Sequence, residues 1–124
     1  MNQSERRLFL IQSLLKEKTE YRDMDIPAEP ESQRRLLRGL MNIRAPRRTD
    51  AEFLKTQDAY LQGENAEKGI TDVADLTPVQ PGLYLWQGDI TTLKCDAIVN
   101  AANSGMTGCY IPNHRCIDNA IHTY

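Results

Sequence analysis

The sequence predicts an α/β protein in two unlike parts, a helical segment over residues 1–75 and a strand-and-loop segment over residues 76–124. Three observations carry this. Charge is concentrated early, with residues 1–80 holding 13 of the 15 Lys and Arg and 14 of the 17 Asp and Glu. Apolar residues in that part recur at helical spacing. Beyond Pro78 and Pro81 the spacing changes to short apolar runs bounded by turn residues, as in strands buried on both faces.

In the first part, Leu8, Ile11, Leu14 and Leu15 define a helix with Ser4 as its expected N-cap. The prolines of "DIPAEPESQ" interrupt it. Leu36, Leu37, Leu40 and Ile43 form a second stripe that ends before Pro46. A third helix is expected over "TDAEFLKTQDAYLQG", with Thr49 and Glu52 as a capping box and Gly63 as its stop. Arg34, Arg35, Arg38, Arg47 and Arg48 alternate with acids and lack aromatic partners, which reads as a solvated helix face rather than a nucleic-acid surface.

In the second part, "GLYLWQGDI" reads as a strand ended by Gly88, Asp89 opens a turn, and Ala97-Ile98-Val99 reads as a second, buried strand. Strand, short helical segment and strand suggest an α/β layer arrangement. In such sheets ligands gather beyond the carboxyl ends of the strands. Asp89, Asn100 and Asn103 fall there, with Gly105 and Gly108 allowing close backbone approach. Each also has a plainer reading, Asp89 as a cap and the asparagines as a self-satisfied loop.

A chain of 124 residues with 40% hydrophobic content suits one small domain. Its net charge of -2 offers no field to gather nucleic acid or an anionic membrane. No apolar run approaches the roughly 20 residues that span a bilayer. "LFLIQSLL" is short and lacks a small-residue cleavage site. The expectation is a cytoplasmic protein with neither nucleic acid nor membrane as partner.

The stretch "GCYIPNHRCIDNAIH" holds two of the three cysteines and both histidines. In a reducing compartment, thiols clustered beside a histidine point to a metal before a disulfide. Cys109, His114 and Cys116 offer two thiolates and an imidazole, a set that favours Zn²⁺. Three ligands would leave the fourth tetrahedral position open, as in catalytic sites. A closed structural site completed by another residue, and two idle thiols beside a surface histidine, stand as alternatives. His122 is expected to be a packed or first-turn helix residue, and Cys95 an inert core thiol.

"GDIT" (Gly88–Thr91), "DAIVNAANS" (Asp96–Ser104) and "DNAIH" (Asp118–His122) together resemble the opening of a macrodomain, the module that binds ADP-ribose. "CYIPNHRC" stands where most macrodomains carry a polyglycine loop, which resembles the zinc-dependent microbial branch, in some organisms linked to a sirtuin. That resemblance implies a three-layer α/β/α domain behind an N-terminal helical extension, and removal of ADP-ribose from modified proteins. It implies that Asp89 reads the adenine amine, the Ile90 backbone meets the diphosphate, and Asn100 and Asn103 orient the distal ribose. Asn103 and Asp118 are then the catalytic candidates, beside Zn²⁺ on Cys109, His114 and Cys116. The expected partners are ADP-ribose and an ADP-ribosylated protein. A reader that binds ADP-ribose without cleaving it is the alternative. Because the chain stops just after "DNAIH", the macrodomain is expected to be truncated after its first ligand loop.

Overall fold

The computed structural model describes every residue from Met1 to Tyr124. Helix α1 (Gln3–Lys16) begins at Asn2, whose side chain accepts from the Glu5 amide while the Glu5 carboxylate accepts from the Asn2 amide. This reciprocal capping box lies two residues before the expected Ser4 cap. Helix α2 (Pro30–Asn42) opens on Pro30, at a position where a missing N–H costs nothing, and the Glu29 carboxylate accepts from the Ser32 amide. Helix α3 (Ala51–Lys68) is capped by Asp50, not Thr49, through a 2.8 Å bond from the Phe53 amide.

Gly63 does not stop α3. The helix runs on to Lys68 and ends at Gly69, whose φ of 93° few other residues tolerate. A Cβ at Gly63 would strike the Gln3 side chain, whose amide donates to the Tyr60 carbonyl at 3.0 Å. Gly63 therefore lets the start of α1 lie across α3.

The three helices enclose one core. Leu10, Ile11, Leu14 and Leu15 of α1 pack against Leu37 and Leu40 of α2 and Phe53 and Tyr60 of α3. Burying each such side chain contributes about 1.5–3 kcal/mol. Arg7 is also buried, and its guanidinium donates to Gln33 at 3.0 Å, so its polar end is not stranded. Arg44 forks onto Glu17 at 2.7–3.2 Å and lies over the Phe53 ring, closing one edge of the core.

The second part contains a small parallel sheet. Strands β1 (Thr71–Asp72) and β2 (Leu93–Lys94) pair with Thr71 opposite Leu93 and Asp72 opposite Lys94. The Lys94 ammonium meets the Asp72 carboxylate at 2.7 Å across the pair, and that bond holds Asp72 below the usual carboxylate range. The mixed helix-and-sheet class is therefore as expected, whereas the strand positions are not. Residues 82–90 and 97–99 form no strand. Leu85 is 84% and Val99 88% exposed, because within the 124 residues no neighbouring strand pairs with them and no layer covers them.

One further expectation changes here. Cys95 is exposed rather than buried in a core. The prolines Pro78 and Pro81 do bracket a turn, as their spacing suggests, with the Val79 amide donating to the Leu83 carbonyl at 2.8 Å. A single 3-10 turn (Ile90–Thr92) packs against α3, and a short helix α4 (Ile117–Ile121) closes the chain. No helix is long and apolar enough to cross a membrane.

Candidate metal centre and ligand loop

The loop from Gly108 to Cys116 turns back on itself. Gly108 has a φ of 100°, and a Cβ there would press on the His122 ring at 3.1 Å. Asn113 adopts a φ of 57°, a conformation that asparagine tolerates better than most residues. The His114 amide donates to the Ile111 carbonyl at 3.1 Å, closing the turn just ahead of the imidazole.

As a result Cys109 Sγ lies 3.7 Å from His114 Nδ1, and the ligand atoms of Cys109, His114 and Cys116 all lie within 4.8 Å of one another. Zinc bonds of about 2.3 Å to sulfur and about 2.0 Å to nitrogen at a tetrahedral angle put such a pair about 3.6 Å apart. Two thiolates and an imidazole suit a soft divalent metal such as zinc, and the Cys109–His114 spacing is that of two ligands on one such ion. Cys116 is also the N-cap of α4, where its sulfur accepts from the Asn119 amide at 3.4 Å.

Asn119 is fully buried and ties the loop together. Its Nδ2 donates to the carbonyls of Ile111 at 3.0 Å and Cys109 at 3.4 Å. Its Oδ1 accepts from Arg38 of α2 at 2.9 Å. The same guanidinium donates to the His114 carbonyl at 3.2 Å and to the Tyr124 hydroxyl at 3.0 Å, and stacks on the Tyr124 ring.

A second cluster adjoins the first at the start of α4. Asp118 is 4% exposed, and its Oδ1 accepts from Asn100 Nδ2 at 2.9 Å. His122 Nδ1 lies 3.2 Å from the same oxygen. The Asn100 side-chain oxygen is buried without a hydrogen-bond partner. His122, at the C-terminal end of α4 rather than in its first turn, is half-exposed, with its ring packed against Gly108 and facing Asp118.

The other expected residues sit apart or satisfy themselves. Asn103 accepts from the Gly105 amide at 2.9 Å and donates to the Gly108 carbonyl at 3.0 Å, so its side chain braces the loop. Asp89 caps the Ile90–Thr92 turn, accepting from the Thr91 hydroxyl at 2.7 Å and the Thr91 amide at 3.0 Å. The hydroxyl bond above all holds the Asp89 carboxyl below its usual range. A Cβ at Gly88 would run into the Trp86 ring, which accounts for the glycine of "GDIT" by packing. Ile90, half-buried, belongs to this turn against α3 and not to the loop.

Asn42 and Asn119 are site-shaping residues that the sequence did not single out, and Arg38, read there as part of a solvated helix face, is another. A glycine at position 39, inside a helical stripe, is the signal that marked a close approach on this face of α2.

Comparison with known proteins first gives a class. The chain is similar over its length to proteins described as protein-ADP-ribose hydrolases, and it spans about half the length of the curated relatives it matches. The one from Treponema medium is 56% identical over 128 aligned residues that take in 100% of this chain and 49% of the relative. The one from Staphylococcus aureus (strain MRSA252) is 45% identical over 116 residues, 93% of this chain and 43% of the relative. No protein-family profile matches the chain.

Proposed function

We propose that this chain carries the metal and ribose side of a zinc-dependent macrodomain that hydrolyses ADP-ribose from modified protein side chains. The observation that carries the reading is that Cys109, His114 and Cys116 come together on the loop leading into α4, whose buried Asp118, two residues past Cys116, accepts a hydrogen bond from Asn100. The names of the relatives support the hydrolase class.

In this reading Cys109, His114 and Cys116 hold Zn²⁺. Zinc held by these residues would supply Lewis acidity for the reaction. Asn100 orients the distal ribose, its unpartnered Oδ1 accepting a hydrogen bond from a ribose hydroxyl. Asp118, held by Asn100 and faced by His122, accepts a proton or orients the attacking water. Asn103 keeps the loop backbone open beneath the sugar. Asp89 and Ile90 meet the adenine and diphosphate end, with the Asp89 carboxylate leaving its present bonds to Thr91 to take the adenine amine. The substrate is an ADP-ribosylated protein and the product is ADP-ribose.

The test is release of ADP-ribose from a modified protein by the longest natural form of the protein, with metal content measured on the same samples. Cys109→Ala, His114→Ala and Cys116→Ala are each expected to lose both metal and release. Full turnover in a metal-free variant would overturn the zinc reading. Tight ADP-ribose binding with no release by the intact protein would leave it a reader.

A further inference from the structure

We propose that helix α2 is a working part of the metal site, its Arg38–Gly39–Asn42 face fixing the backbone of the loop so that the helical segment sets metal affinity. The inference rests on the metal reading above and deepens it. Three contacts meet on one side of α2, where Asn42 lies four positions from Arg38 and three from Gly39, the spacings a helix presents together.

The first is Arg38. Its fork reaches the His114 carbonyl at 3.2 Å and Asn119 Oδ1 at 2.9 Å, and Asn119 in turn holds the carbonyls of Ile111 and Cys109. One guanidinium thus fixes the peptide of one ligand directly and that of a second through a buried amide. The second is Asn42, whose Oδ1 accepts from the Asn113 amide at 2.9 Å. Asn113 is the residue in the left-handed conformation immediately before His114, so this bond holds the turn that aims the imidazole.

The third is Gly39. A glycine in the middle of a helix costs about 1 kcal/mol against alanine. Here a Cβ would lie 3.0 Å from Asn113 Nδ2 and 3.7 Å from the Pro112 Cβ, so a side chain at 39 would crowd the Asn113 side-chain amide against the helix. No ligand of the metal comes from α2. Arg38 and Asn42 are positioning residues, acting through the loop backbone.

The experiment titrates Co²⁺ into the 124-residue chain and reads its thiolate charge-transfer and d–d absorption. Outer supports of metal ligands are worth about 10–100-fold in affinity. Arg38→Ala and Asn42→Ala are each expected to weaken Co²⁺ at least tenfold. Arg38→Lys should stay weak, since an ammonium cannot serve the spread acceptors of a planar fork. Arg35→Ala, on the same helix without a hydrogen bond to the loop, should bind as wild type does. Thermal melting of the helices guards against loss of fold. Hydrogen exchange at the Asn113 amide gives a metal-free reading, expected to quicken in Asn42→Ala.

Wild-type Co²⁺ affinity in both Arg38→Ala and Asn42→Ala, or an unchanged Asn113 exchange rate in Asn42→Ala, overturns this inference alone. A wild-type chain that takes up no more Co²⁺ than Cys109→Ala overturns the metal reading, and this inference with it.

Discussion

Asn119 shows how one buried amide can organise a loop that has almost no apolar support. Its side chain meets two carbonyls and a guanidinium, and its backbone amide meets the Cys116 sulfur. Removing it strands those partners, and an unpaired buried polar group costs about 1–3 kcal/mol. Asn119→Ala is therefore expected to speed proteolysis within residues 109–116 while leaving the melting of α1–α3 in place. Limited digestion followed by mass analysis checks both halves of that statement. The clustering of Cys109, His114 and Cys116 was legible because they lie within eight residues, where spacing and chemistry speak together. Arg38 was not, because its bond to the His114 carbonyl closes over 76 residues and no local pattern encodes it. An arginine among alternating acids reads as a solvated one until its partner is seen.

Among the elements, α3 offers two tests. Asp50 accepts the Phe53 amide, so Asp50→Ala should cost the fold about 1 kcal/mol, whereas Thr49→Ala, whose hydroxyl only reaches the Arg47 carbonyl, should cost little. Chemical denaturation of the two variants separates the caps. Tyr60 is buried, and burial, aided by the Glu64 charge and opposed by Arg7 and Arg34, pushes its hydroxyl up to about 12. The unfolded chain releases that proton first, near pH 10, so the folded state binds more protons above it and stability falls with rising pH. The loss is expected between pH 10 and about 12, and Tyr60→Phe should remove that part of the pH dependence. The helices were foreseen in number and place because 3.6-residue periodicity is a local property. Their ends drifted by a residue or more because Asn2 competes with Ser4, Asp50 with Thr49, and Gly69 with Gly63, and packing decides between them. The strands were misplaced for a deeper reason. An apolar triplet such as Ala97-Ile98-Val99 becomes a strand only when another chain segment accepts its hydrogen bonds, and here none does.

At the scale of the molecule the two parts are held by unlike means. Residues 3–68 share one apolar core, while residues 77–116 rely on turns, caps and a few side-chain amides. Hydrogen exchange is expected to show strong protection in α1–α3 and fast exchange across residues 82–106, measured by mass spectrometry on the 124-residue chain. Ile11→Ala, in the centre of the core, should cost about 2–5 kcal/mol and unfold the loop along with the helices, since α2 carries its anchor. Slow exchange across residues 82–106 would contradict this division.

Cys95 has a consequence of its own. It lies outside the loop, exposed, with its sulfur touching only the carbonyls of Leu93 and Ala97. On the proposed metal reading, an ion gripped by Cys109 and Cys116 would leave one sulfur open to an alkylating reagent, and stripping the ion would leave three. The added mass after alkylation would then tally occupancy without dye, tag or substrate.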